Sequence, residues 1–207
     1  MPDSNRRNGN SAGRALEVAA LVGASLFYGY HINTKWQERK ELADLILTVD
    51  NECKAQRLPR SLRNNATEIL AESFLHSPAY TSIFRESEEE RRKALNWLFA
   101  KNIDALQSKA DESNGDIQLW CKLNKFETSI DMVAFTMLVH CEHDFTTWEY
   151  IQNGFLLAPF RFGMSKIRIM FQVDEWIKER EKQVRNGREC MILNRMAVHR
   201  NSYSDYQ

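Results

Sequence analysis

Eight consecutive residues, Met132-Val-Ala-Phe-Thr-Met-Leu-Val139, are apolar but for one threonine. A run of this kind is what a central strand needs, flanked by neighbours and covered on its faces. Upstream, Ile117-Gln-Leu-Trp-Cys-Lys122 alternates apolar and polar, as a half-buried strand does, and Leu123 to Asp131 is polar enough to be a hairpin loop. Downstream, Cys190-Met-Ile-Leu-Asn-Arg-Met-Ala-Val198 is apolar, β-leaning and preceded by Asn186-Gly187, which predicts a third, buried strand.

Helices fill the space between these strands. Asn65 and Glu68 predict a capping box, with Ile69, Leu70 and Phe74 following on one side and Pro78 ending the helix. Ser87 with Glu90 predicts a second box, and Glu88, Glu89 and Glu90 place three carboxylates where the helix dipole favours them. Leu95, Leu98, Phe99, Ile103 and Leu106 form the apolar stripe of that helix, and Asn114-Gly115 marks the turn after it. Thr146 and Glu149 predict a third box, opening a helical stretch interrupted at Gly154, Pro159 and Gly163, and Ile167 to Val184 reads as a long amphipathic helix. The layout is α/β in the mixed α+β sense, with a central mixed or antiparallel sheet flanked by helices.

Three segments follow from composition and pattern. Residues 1–14 are polar and predict a disordered tail; 15–56 predict a helical extension, including an amphipathic helix from Trp36 to about Cys53; the domain proper occupies 57–207. Val18 to Tyr30 is apolar with basic flanks, and three readings stay open for residues 15–34: a membrane anchor, a targeting peptide, or a helix packing on the domain or a partner. Lys+Arg and Asp+Glu balance at 28 each, so charge gives no reason to expect a nucleic-acid partner. Cys53, Cys121, Cys141 and Cys190 are far apart with no CxxC pair; they predict reduced cysteines in the cytoplasm or another reducing compartment, membrane-associated or organellar if residues 15–34 act as anchor or leader.

Chemistry-bearing residues are few. His140-Cys-Glu-His143 contains metal-ligand types but neither a HExxH helix nor a CxxC pair, and a polar strand-end loop is the expectation, with no metal. Glu142 and Asp144 are carboxylates of the type that takes a proton from an incoming amine. No Gly-x-Ser-x-Gly elbow is present for a hydrolase.

Several stretches, in order, resemble the GNAT superfamily of acyl-CoA-dependent N-acyltransferases. Phe74-Leu-His-Ser-Pro-Ala-Tyr80 is similar to that family's F-x-x-(D/S)-P-x-(Y/F) after its first helix, and Glu88 to Phe99 resembles its second helix. Gly154 to Gly163 resembles an interrupted connection of one GNAT group, and a strand running into Ala197-Val198-His199 resembles the cofactor strand. The likeness spans roughly Ser61 to His199, with Ala134 where the family often has glycine.

The resemblance implies the N-terminal half of a GNAT domain that transfers acetyl from acetyl-CoA to a small-molecule or protein primary amine. It implies cofactor binding by the backbone of Met196, Ala197 and Val198, with the Met196 amide facing the thioester oxygen, and assigns no catalytic residue. The family's next residues form a Gln/Arg-x-x-Gly-x-Gly/Ala loop that holds the pyrophosphate, whereas here the sequence reads His199-Arg-Asn-Ser-Tyr-Ser-Asp-Tyr-Gln207. The expectation is a domain cut short before that loop, with little or no acetyltransferase activity and an exposed edge at its last strand. The alternative from another class is a non-catalytic, membrane-tethered interaction or scaffold protein.

Overall fold

The computed structural model describes residues 30, 32–45, 55–113, 115–125, 130–143 and 147–199. The chain divides into two units, Met1–Leu45 and Ile46–Gln207. In the first, residues 32–45 form helix α1, with Ile32 and Trp36 exposed, a Lys35–Glu38 ion pair at 3.2 Å and the Lys40 ammonium over the Trp36 ring. Residues 1–29 and 46–54 lie outside the described residues, and with them the polar tail, most of the apolar run and the end of the expected Trp36–Cys53 helix. Among the described residues no helix is long and apolar enough to cross a membrane.

The second unit is a mixed α+β fold of six described helices and a four-stranded antiparallel sheet. Strand β1 (Ala55–Arg57) leads through a 3-10 turn to α2 (Arg63–Phe74), α3 (Pro78–Ile83) and α4 (Glu88–Ala110). Strands β2 (Ile117–Lys125) and β3 (Ile130–His140) follow, then α5 (Thr147–Gln152), α6 (Ala158–Phe162), α7 (Met164–Arg185) and β4 (Met191–Val198). The sheet order is β1-β2-β3-β4, so the three strands read from the sequence are neighbours and β3 is central.

Alternation builds the core on one sheet face. Ile117, Leu119, Cys121 and Leu123 of β2 are buried, as are Met132, Phe135, Met137 and Val139 of β3. The phase slips between Met132 and Phe135 because Lys122 pairs with Ala134 and Leu123 with Met132, leaving Val133 as the extra residue of a bulge. Helices α2 and α4 pack on each other, α2 on β3 and α4 on β2, burying Ala66, Ile69, Leu70, Leu95, Phe99 and Ile103.

Local signals decide the ends. Ser87 caps α4 by accepting from the Glu90 amide at 3.3 Å, as the sequence predicts. Asn65 does not cap α2: the helix begins two residues earlier at Arg63, with Leu62 at its cap and no side-chain cap bond. The preceding 3-10 turn carries the chain into the helix there, and Arg63 is held by Asp104 of α4. Asn65-Ala66-Thr67, which has the N-x-Thr form of a glycosylation sequon, lies within α2, with Ala66 and Thr67 buried. Pro78 stands at the start of α3, where its missing N–H costs no hydrogen bond. Thr146 is outside the described residues.

Periodicity gives no sign of β1, because Ala55-Gln-Arg57 has no apolar alternation; its pairing with Trp120 to Lys122 puts Ala55 and Gln56, read as the end of the helical extension, into the sheet. Residues 123–125 and 130–131, expected to belong to the loop, continue the strands, with Leu123 and Ile130 buried; 126–129 lie outside the described residues.

Between α6 and α7 the backbone turns at Gly163, whose φ of 81° and ψ of 150° suit glycine alone. Helix α7 ends at Asn186, in the left-handed region, followed by Gly187.

Candidate functional site

Residues Met196 to Val198 lie at the end of β4, the outermost strand of the described sheet. Met137 pairs with Arg195 and Leu138 with Leu193, so Asn194 is an extra residue and β4 is bulged there. Beyond the bulge, the His199 amide donates to the Val133 carbonyl at 2.7 Å. Backbone groups alternate sides along an antiparallel strand, so those of Ala197 also face β3. Those of Met196 and Val198 therefore face the outer edge, where no strand pairs with them among the described residues.

Side chains alternate across the sheet as well. Ala197 is 3 % exposed and faces the helices, while Met196 is 60 % exposed on the opposite face. Arg195 shares the helix side: its guanidinium sits 5.3 Å from the Phe99 ring centroid, and Nη2 donates to the Tyr80 hydroxyl at 3.5 Å. Phe74, Tyr80 and Phe99 form a cluster with centroids 5.7–5.9 Å apart, Tyr80 edge-to-face with both phenylalanines and the two phenylalanines tilted at 47°. The Phe74-to-Tyr80 stretch and β4 are thus joined through one arginine. Sequence patterning does not announce that role for Arg195, since a cation–π contact leaves no periodic trace. Ala134 sits opposite Val198, half-buried.

The sequence reading of β4 as a buried strand needs correction. Met191, Leu193 and Met196 are exposed, and Ala197 is the strand's buried residue. The edge position explains it: apolar pattern marks the strand, but one neighbour and one helix layer cover only part of it.

Among the described residues no group of three or more His, Cys, Asp or Glu side chains converges to hold a metal ion. His140 ends β3, Glu142 is exposed in the turn that follows, and Asp144 lies outside the described residues. A groove of about 600 Å³ runs along α7, lined by Met164, Ile167, Arg168, Phe171 and their neighbours on that helix. None of the candidate site residues Met196, Ala197 and Val198 lines it. Cys121 is buried in β2, and desolvation pushes its thiol up to about 12, which makes it inert.

Comparison with known proteins returns nothing: no family model, no curated protein and no solved structure matches this chain.

Proposed function

We propose that residues 55–198 form the front half of a GNAT-like N-acyltransferase domain whose β4 edge takes the pantetheine arm of acetyl-CoA, for acetyl transfer to a primary amine. The observation that carries this reading is the bulged edge strand, with the Met196 and Val198 backbone groups turned outward. A pantetheine amide can add to such an edge as an extra strand would. The strand order β1-β2-β3-β4, with α2 to α4 between β1 and β2, supports the same reading, as does the contact of Arg195 with Tyr80.

In this reading acetyl-CoA supplies the activated thioester. Met196 N–H would donate to the thioester oxygen, where negative charge grows as the amine attacks. Val198 would hold the arm one repeat further along the strand. Ala197 sets the register by its bond to β3 and its packing under the helices. No general base is assigned.

Residues 199–207 contain no glycine, so they do not carry the Gly-x-Gly/Ala pattern with which the family binds the pyrophosphate. For a polypeptide without that loop, the few charge-assisted hydrogen bonds it supplies, each worth about 1.5–3 kcal/mol, are missing and binding is weaker by several kcal/mol. Titration of the 207-residue chain with acetyl-CoA, followed by backbone amide shifts, should move Met196 and Val198 with millimolar affinity. Met196→Pro, which removes an outward N–H but no ladder bond, should abolish the acetyl-CoA-dependent shift at Val198. Shifts confined to other parts of the chain would overturn the reading; micromolar affinity would overturn the weak-binding part of it.

A non-catalytic interaction protein, tethered through residues 15–34, is the second reading. It is favoured by the exposed apolar side chains of α7, Phe171, Trp176 and Val184 among them. Membrane fractionation of the chain with and without residues 1–34 tests the tether.

A further inference from the structure

We propose that Cys141 and Cys190 form a redox-active dithiol, oxidised to a Cys141–Cys190 disulfide by low-molecular-weight disulfides of the glutathione type. The inference is independent of the acyltransferase reading. The last rung of the β3–β4 ladder pairs His140 with Met191, and the next places Cys141 opposite Cys190, whose carbonyl accepts from the Cys141 amide at 3.0 Å. Residues directly opposite on antiparallel strands have Cα atoms about 4.5–5.5 Å apart, within the roughly 4.4–6.8 Å that a disulfide spans. Cys141 Sγ also accepts from the Cys190 backbone N–H at 3.4 Å and itself donates to the Arg188 carbonyl at 3.9 Å.

The surroundings divide the labour between the two sulfurs. Arg185, at the end of α7, donates from Nη1 to the Cys141 carbonyl at 3.0 Å, which brings its positive charge beside the Cys141 thiol. Desolvation raises the Cys141 thiol, but the Cys190 amide, Arg185 and the Cys190 thiol together outweigh it and lower it below the usual cysteine value. Cys190 is raised, by desolvation, by the Cys141 sulfur and by the charge of Glu181, against Arg185. Glu142 acts on Arg185 in turn, and Arg188 and Glu189 directly precede Cys190 in the chain. Cys190 is exposed and Cys141 half-buried, so a small disulfide can reach them.

The Cys141 thiolate attacks one sulfur of glutathione disulfide, forming a mixed disulfide and releasing one glutathione thiolate. Cys190 then loses its proton to solvent and attacks Cys141 Sγ, closing the intramolecular bond and releasing the second glutathione. Two protein thiols are oxidised and one glutathione disulfide is reduced to two thiols. The crosslink fastens the base of β4 to the end of β3 and closes the segment carrying α5, α6 and α7.

The full chain, equilibrated anaerobically in glutathione buffers of increasing oxidised fraction, acid-quenched, alkylated and peptide-mapped, tests this. The expected result is a 141–190 linked peptide that rises with the oxidised fraction while Cys121 stays reduced. Cys190→Ser should stop at glutathione on Cys141, and Arg185→Gln should slow modification of Cys141 several-fold, with Arg185→Lys partly restoring it. Persistence of both free thiols in fully oxidised glutathione, or a wild-type chain that stops at the mixed disulfide, would overturn the proposal. An unchanged rate in Arg185→Gln would overturn the division of labour.

Discussion

Helices α4 and α7 have nearly the same length, 23 and 22 residues, and both carry apolar residues at helical spacing, yet they bury them very differently. Helix α4 encloses Ala94, Leu95, Leu98, Phe99, Ile103, Ala105 and Leu106, while α7 buries Ile167 and leaves Met164, Phe171, Trp176 and Val184 exposed. The contrast extends to the sheet, where β3 is embedded and β4 is an edge. An amphipathic pattern therefore states that a face can be covered; the rest of the fold decides whether it is. Stability concentrates in the α2–α4–β2–β3 layer, and the exposed backbone and thiols sit at the α7–β4 margin.

The largest expected effect breaks the packed side. Phe99→Ala removes a fully buried ring that touches Phe74 and Tyr80 and should lower unfolding free energy by about 3–5 kcal/mol in urea denaturation. Phe171→Ala on α7, an exposed ring, should stay within about 0.5 kcal/mol. Equal losses would erase the distinction between the two helices. Next, Gly163→Ala forces a side chain onto a backbone that only glycine adopts freely, at a cost of about 1–3 kcal/mol, read from the same denaturation curves. No atom lies within 4 Å of the added Cβ, so the cost is conformational rather than steric.

Legibility from the sequence follows the same division. Ser87 was readable as a cap because its partner, the Glu90 amide, is three residues away. Strands β2 and β3 are readable because burial is strongest in the middle of the sheet, whereas β4 is readable from its apolar, β-leaning composition alone. Asn65 misled, because the turn ahead of it had already started α2 at Arg63. Strand β1 and the exposure of β4 depend on which strands neighbour them, which no local window contains. The Cys141–Cys190 contact joins residues 49 apart through β-register, so spacing alone could not propose it.

Two smaller effects sharpen the comparison. Ser87→Ala deletes the cap of α4 and should cost about 1 kcal/mol, measurable as a shift in thermal midpoint. Smallest is the surface pair Glu86–Lys166, which links α7 to the segment before α4. The hydrogen bond from Lys166 holds the Glu86 carboxyl below its ordinary 4.5. A carboxyl depressed in the folded state contributes stability that is present above pH 4.5 and is lost as pH falls through the lowered value. Both groups are partly solvated, so the pair is worth at most about 1 kcal/mol, and Glu86→Gln should remove that part of the acid slope in pH-dependent denaturation.

Residue-resolved amide exchange along β4 tests the central claim most directly. The account predicts protection at Ala197 and His199, whose amides face β3, and rapid exchange at Met196 and Val198, whose amides face the open edge. Millimolar acetyl-CoA should then slow Met196 and Val198 selectively. Equal protection of all four amides in the free chain, or no change at Met196 and Val198 with acetyl-CoA present, would contradict it.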